Sequence, residues 1–92
     1  MNYTEQFELN SIKHEVVLEQ SIDFKLRRFG VTKGIIVGAI ISSTEEIQDG
    51  KRTIYDHDHR VYIRVTREGN QFFVTDIERP DIILDDLDII KT

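Results

Sequence analysis

The chain contains no cysteine, no tryptophan, a single proline and a single methionine in 92 residues. Without cysteine there is no disulfide and no thiolate metal site, so a domain of this size depends on its apolar core alone. The absence fits a reducing compartment, and a cytoplasmic location is expected. No apolar run approaches the ~20 residues of a membrane span, and no membrane association is expected. The polar, acidic opening MNYTEQFELN is not read as a signal peptide. Positive charge is also in short supply, with 12 Lys and Arg against 17 Asp and Glu, a net charge of −5. That balance excludes broad adhesion to phosphate backbones, which needs a basic field. There is no repeat, no low-complexity linker, and no motif that names a function outright. What remains is ordinary globular composition, 39% apolar and 32% charged, with the length of a single domain spanning residues 1–92.

Residues 60–77, RVYIRVTREGNQFFVTDI, carry the clearest local pattern. Two runs of β-branched and aromatic residues flank a turn signal, which predicts a β-hairpin. Val61, Ile63 and Val65 point to one face, and Tyr62, Arg64 and Thr66 to the other. A two-residue loop at Gly69-Asn70 sets Ile63 opposite Asp76, on the core face. A three-residue loop over residues 67–69 sets Ile63 opposite Phe73, Val61 opposite Thr75 and Arg60 opposite Asp76, with Gly69 left-handed. The three-residue loop is therefore expected, with Val61, Ile63, Val65, Phe73 and Ile77 as the floor of the core.

Residues 1–10 read as an irregular or short extended lead-in. Over residues 12–29 the spacing of Leu18, Ile22, Leu26 and Phe29 predicts a helix with Ser11 as its N-cap and Gly30 as its left-handed stop. A strand over residues 21–28 is the competing reading, because Ile22, Phe24 and Leu26 alternate. Thr32 is expected to cap a second helix over residues 33–42. Its GIIVGAII core would be a strand by propensity, but Gly34, Gly38 and Ser42, spaced by four, offer a small-residue face for close packing. Asp49-Gly50 is a two-residue hairpin signal. Pro80 ends the last strand, and the tail DIILDDLDIIKT suits an edge strand or a short helix. The expected fold class is α+β, an N-terminal helical pair packed on an antiparallel sheet of about four strands, with an all-β small barrel as the alternative.

Candidate chemistry gathers around the hairpin. The DHDH run, residues 56–59, offers four metal-ligand side chains, but alternation lets only one Asp or His pair face a common ion. A third ligand would have to come from elsewhere, such as His14, and neither a metal nor a cofactor is expected. Metal-free RNA cleavage needs a base, an acid and a cation on the phosphate. His57 and His59 are the candidate base and acid, Arg52, Arg60 and Arg64 the candidate phosphate contacts, and Tyr55 and Tyr62 candidate proton donors or stacking platforms. The bland alternative is a solvent-facing strand with Arg60 and Asp76 ion-paired.

The stretches RRFGVTKGIIVGAI and GKRTIYDHDHRVYIRVTREGNQFFVTDIERPD, within residues 25–81, resemble the small RelE-like ribonucleases. These belong with the barnase, EndoU and colicin nucleases. The likeness rests on Arg28, Gly30, Val31 and Thr32, on Tyr55-Asp56, on residues 61–65, and on residues 74–76 before Pro80. It implies a toxin-type, metal-independent RNA endonuclease or a derivative of that fold, with His57, His59, Tyr62 and Arg64 at the catalytic positions and RNA as partner. A second reading is non-enzymatic. Asp85, Asp86 and Asp88, interleaved with aliphatic residues, suit an immunity- or phage-type inhibitor that docks on a basic protein such as a nuclease.

Overall fold

Asn10 and Ser11 both sit at positive φ, 54° and 65°, and fold the N-terminal residues into a tight hairpin. A computed structural model describes residues 1–79 and 89–91. Strand β1 (Tyr3–Leu9) runs antiparallel to β2 (Ile12–Leu18), with Leu9 opposite Ile12 and Tyr3 opposite Leu18. The helix expected from residue 12 therefore begins only after a 3-10 turn at Gln20–Ile22, as α1 (Asp23–Phe29). The helical spacing was real for Ile22, Leu26 and Phe29 but included a strand residue, Leu18. Within β2, His14, Val16 and Leu18 are buried at a period of two, and Ser11 is a turn residue rather than a cap.

Gly30 ends α1 at φ 67°, ψ 32°, the left-handed stop expected of it. Helix α2 (Lys33–Ser42) follows, and the Thr32 hydroxyl accepts the Ile35 N–H at 3.2 Å. Its β-branched residues are helical because Ile36, Val37 and Ile40 pack into the core, and tertiary burial outweighs propensity. The small-residue face plays no packing role among the described residues. A Cβ added at Gly38 would meet nothing within 4 Å. Gly38→Ala is therefore expected to raise stability by about 0.5–1 kcal/mol through the lost flexibility of an interior helix glycine. Urea denaturation checks it, and a decrease would reinstate a close-packing role.

No hairpin forms at Asp49-Gly50. Ile47, 1% exposed, plugs the core after α2, and Gly50 opens β3 (Gly50–Asp56) at φ 102°. Residues 57–60 then turn the chain into β4 (Val61–Glu68), which pairs antiparallel with β3. Strand β5 (Gln71–Glu78) returns antiparallel to β4 through the two-residue loop Gly69-Asn70, not the three-residue one. The carboxylate that this loop would set on the core face is removed by a β-bulge. Val65 faces Val74, Arg64 faces Asp76, and Thr75 is the extra residue, so Ile63 meets Ile77. Phe72 rather than Phe73 lies in the core, at 0% exposure. The expected Arg60–Asp76 pair is replaced by Lys25 from α1, whose Nζ lies 2.8 Å from Asp76 and 2.7 Å from Glu78. Those two carboxylates raise the Lys25 pKa. Burial works against an ionised Asp76, but hydrogen bonds from the Lys25 ammonium and the Ile77 N–H prevail and hold its carboxyl below the usual value.

Among the described residues the sheet has six strands in the order β1-β2-β5-β4-β3-β6, with β6 at Ile89–Lys91. It is mixed rather than antiparallel, because β2 runs parallel to β5 and β3 parallel to β6. The fold is α+β. The two helices and the buried residues of the central strands enclose one core. The end of the tail is an edge strand, while Pro80 and the rest of the tail lie outside the described residues. No helix among the described residues is long and apolar enough to cross a membrane.

Candidate functional site

The hairpin divides its side chains as its alternation predicts. Val61, Ile63 and Val65 face the helices at no more than 1% exposure. Tyr62, Arg64 and Thr66 occupy the opposite face of the sheet. Strand β3 adds to that face the residues opposite them, Tyr55 beside Tyr62, Thr53 beside Arg64 and Lys51 beside Thr66. The bulge in β5 brings in Thr75, whose hydroxyl donates to the Arg64 carbonyl at 3.5 Å.

These residues line a groove of about 360 Å³, formed by Lys51, Thr53, Arg64, Thr66 and Thr75 and bordered by Arg52. Arg64 is exposed, and neither it nor Lys51 forms an ion pair among the described residues. The carboxylate nearest in register to Arg64 is Asp76, which Lys25 already engages. Two cations and three hydroxyls on one sheet face are groups able to donate hydrogen bonds to an oxyanion.

Above the groove, Tyr55 and Tyr62 pack with ring centroids 4.8 Å apart, and His57 lies 6.1 Å from Tyr55. Tyr62 was expected to face solvent. It is on the expected face but only 5% exposed, so it serves as a buried support for Tyr55. His57 is exposed and belongs to this tyrosine side of the sheet.

His59 does not join it. Asp56 stands opposite Val61 on the helix side and is 7% exposed. One of its oxygens accepts the Asp58 N–H at 3.1 Å, and the other lies 2.8 Å from His59 Nδ1. A carboxylate has no proton to give, so Nδ1 donates. The turn is thus organised by Asp56. The sequence offered no sign that the two histidines would part to opposite sides, because a turn, unlike a strand, breaks the alternation. Arg79 reinforces this end by donating to the carbonyls of Phe29 and His59 at 3.0 and 2.9 Å.

The remaining candidates are committed elsewhere or lie away from the groove. The Arg52 guanidinium is engaged by the carbonyls of Lys51 and Asp49 at 2.9 and 2.8 Å. Arg60 sits in the turn at φ 55°. Asp85, Asp86 and Asp88 lie outside the described residues. His14, raised as a metal ligand, is buried in a three-ring cluster with Phe7 and Phe72, with its Nδ1–H on the Ile12 carbonyl at 3.0 Å. Among the described residues no three His, Asp or Glu side chains gather closely enough to hold a metal ion. Lys51, Thr53, Thr66 and Thr75 were missed. Lys51-x-Thr53 and Arg64-x-Thr66 alternate visibly, but only the β3–β4 register sets them side by side.

No family model matches the chain, and no curated protein and no solved structure matches it.

Proposed function

We propose that this protein is a small RNA-directed domain, a metal-independent endonuclease of the RelE-like type or a derivative that keeps the binding face. The observation that carries this reading is the groove. Arg64 and Lys51 line a sheet-face hollow with three threonine hydroxyls, and the carboxylate opposite Arg64, Asp76, is engaged by Lys25. A phosphodiester seated there would receive charge-assisted hydrogen bonds, and Tyr55 beside it is a platform for an unpaired base. His57 is the proton-transfer residue on this side. His59 holds the turn through Asp56. The net charge of −5 then acts as a filter. It opposes indiscriminate binding to duplexes and leaves affinity to a local contact.

The test uses purified protein and single-stranded RNA in EDTA. Cleavage is expected, and Lys51→Ala with Arg64→Ala should slow it by about 100-fold or more. The same pair should weaken RNA binding and reduce the salt slope of log K by roughly one for each phosphate left without its cation. His57→Ala should abolish cleavage with binding kept, and His59→Ala should chiefly lower stability. Binding without cleavage would assign the chain to the derivative class. RNA that is neither bound nor cut at high protein excess would end the proposal.

A further inference from the structure

We infer that the outer edge of β1 is a homodimer interface, at which two copies of this chain pair their β1 strands antiparallel about a two-fold axis at Gln6. The inference does not depend on the activity proposed above.

The direction of the backbone groups follows from the Asn10-Ser11 turn. A two-residue loop with both φ values positive closes on a hydrogen-bonded pair, here Leu9 and Ile12. Hydrogen-bonded and non-bonded pairs then alternate along the ladder, so Tyr3, Glu5, Phe7 and Leu9 bond to β2. Thr4, Gln6 and Glu8 turn their N–H and C=O groups away from it. Bonding on the far side of β2 agrees, since the Glu15 N–H, opposite Gln6, donates to Asn70 of the loop before β5 at 2.9 Å. Among the described residues, nothing pairs with the outward groups of β1.

Two carboxylates, Glu5 and Glu8, are the charges on this edge, and the other obstacles to strand addition are missing from it. All seven residues of β1 pair in unbroken register with β2, so there is no bulge, and the strand contains no proline, glycine or lysine. Its start is pinned, with the Asn2 side chain accepting the Gln20 N–H at 3.0 Å.

Charge then selects the register in which a second copy fits, and the self-matching length of the strand supplies the occupant. Two-fold pairing at Gln6 is the alignment that matches the whole strand, Tyr3 to Leu9 of the other copy and Glu5 to Phe7 on the helix side. On the open side Thr4 meets Glu8 and Gln6 meets itself. No like charges stand directly opposite. A two-fold at Glu5 or at Glu8 would set a carboxylate against its own copy, and one at Phe7 would leave Tyr3 overhanging. Pairing at Gln6 also brings Tyr3, 36% exposed, against Leu9 of the other copy, so an apolar pair closes each end of the joined edge. At physiological salt the screening length is about 8 Å, which confines repulsion between the acidic copies to the contact itself. Because paired residues share a face, the two open faces join on one side of a continuous sheet.

Sedimentation equilibrium across roughly 5–500 µM protein is expected to show a monomer–dimer transition. Gln6→Lys sets two ammonium groups across the axis and should weaken dimerisation by about tenfold or more, with the circular dichroism spectrum unchanged because Gln6 is exposed. The chain has no cysteine of its own, so Gln6→Cys should form a disulfide-linked dimer on mild oxidation, whereas Glu8→Cys, which faces Thr4, should not. A monomer throughout the concentration range overturns the proposal. So does a dimer that Gln6→Lys leaves intact, or one that Glu8→Cys cross-links better than Gln6→Cys.

Discussion

Phe72→Ala is expected to cost about 3–5 kcal/mol, a large part of the roughly 5–15 kcal/mol that holds a domain of this kind. Phe72 is 0% exposed and is where three parts of the chain meet. Its ring lies 6.2 Å from Phe7 and 6.0 Å from His14, on the N-terminal hairpin, and 4.8 Å from the Arg67 guanidinium. Its backbone pairs with Val16 in the parallel β2–β5 ladder. Truncation removes the transfer energy of the ring and leaves a cavity that flanking strands, fixed by their ladders, cannot close. Phe73→Ala, on the opposite face and only half-buried, should cost less than half as much. Urea denaturation of both variants is the measurement. Equal losses, or a larger loss at Phe73, would show that the faces of β5 had been assigned the wrong way round.

Arg67→Ala is expected to cost about 2–3 kcal/mol, through hydrogen bonds from a charged donor and its contact with an aromatic face. Its Nη1 donates to the carbonyls of Thr44 and Ile47 at 3.0 and 2.5 Å, and its Nε to Gly69 at 2.7 Å. Thr44 and Ile47 are 3% and 1% exposed. The side chain thus satisfies carbonyls in the turn that ends α2, which few other donors reach. Arg67→Lys should recover less than half of the loss, since an ammonium cannot reproduce the planar fork. A cost below ~0.5 kcal/mol for Arg67→Ala would mean that water replaces the guanidinium without penalty. Combining Arg67→Ala with Phe72→Ala should give less than the sum, because the two groups touch.

The candidate site was half legible. Arg64 and Tyr62 were placed on the correct face because alternation in β4 is a strictly local property. His57 lies on the tyrosine side of the sheet, but His59, paired with it on proximity in sequence alone, is separated from it by the Asx-type turn at Asp56. The groove itself was invisible. Lys51 and Thr53 come from β3, Arg64 and Thr66 from β4, and Thr75 from a bulge in β5. Neighbours across strands depend on register, and register on pairings that no window of sequence contains.

The same division runs through the fold. Gly30, Thr32 and α2 were readable because a left-handed stop and a capped first turn are local events. The face carrying Val61, Ile63 and Val65 was readable for the same reason. Residues 12–18 were not. Their helical spacing with Ile22 and Leu26 competed with a period of two, and the parallel partner β5, which settled the contest, lies more than fifty residues away along the chain. The loop of the β4–β5 hairpin was likewise decided at a distance. Regular alternation favours the three-residue loop, because the two-residue one sets Asp76 against Ile63, but a bulge at Thr75 lets the shorter loop place Ile77 there instead. Sequence by itself determined the local elements whose causes lie within a few residues, the α+β class and the apolar face of β4. Tertiary structure decided the order of the strands, the register that assembles Lys51 with Arg64, and the place of β1 at an edge of the sheet among the described residues. The reason is that burial and hydrogen bonding between distant segments outweigh local preferences worth only fractions of a kcal/mol per residue.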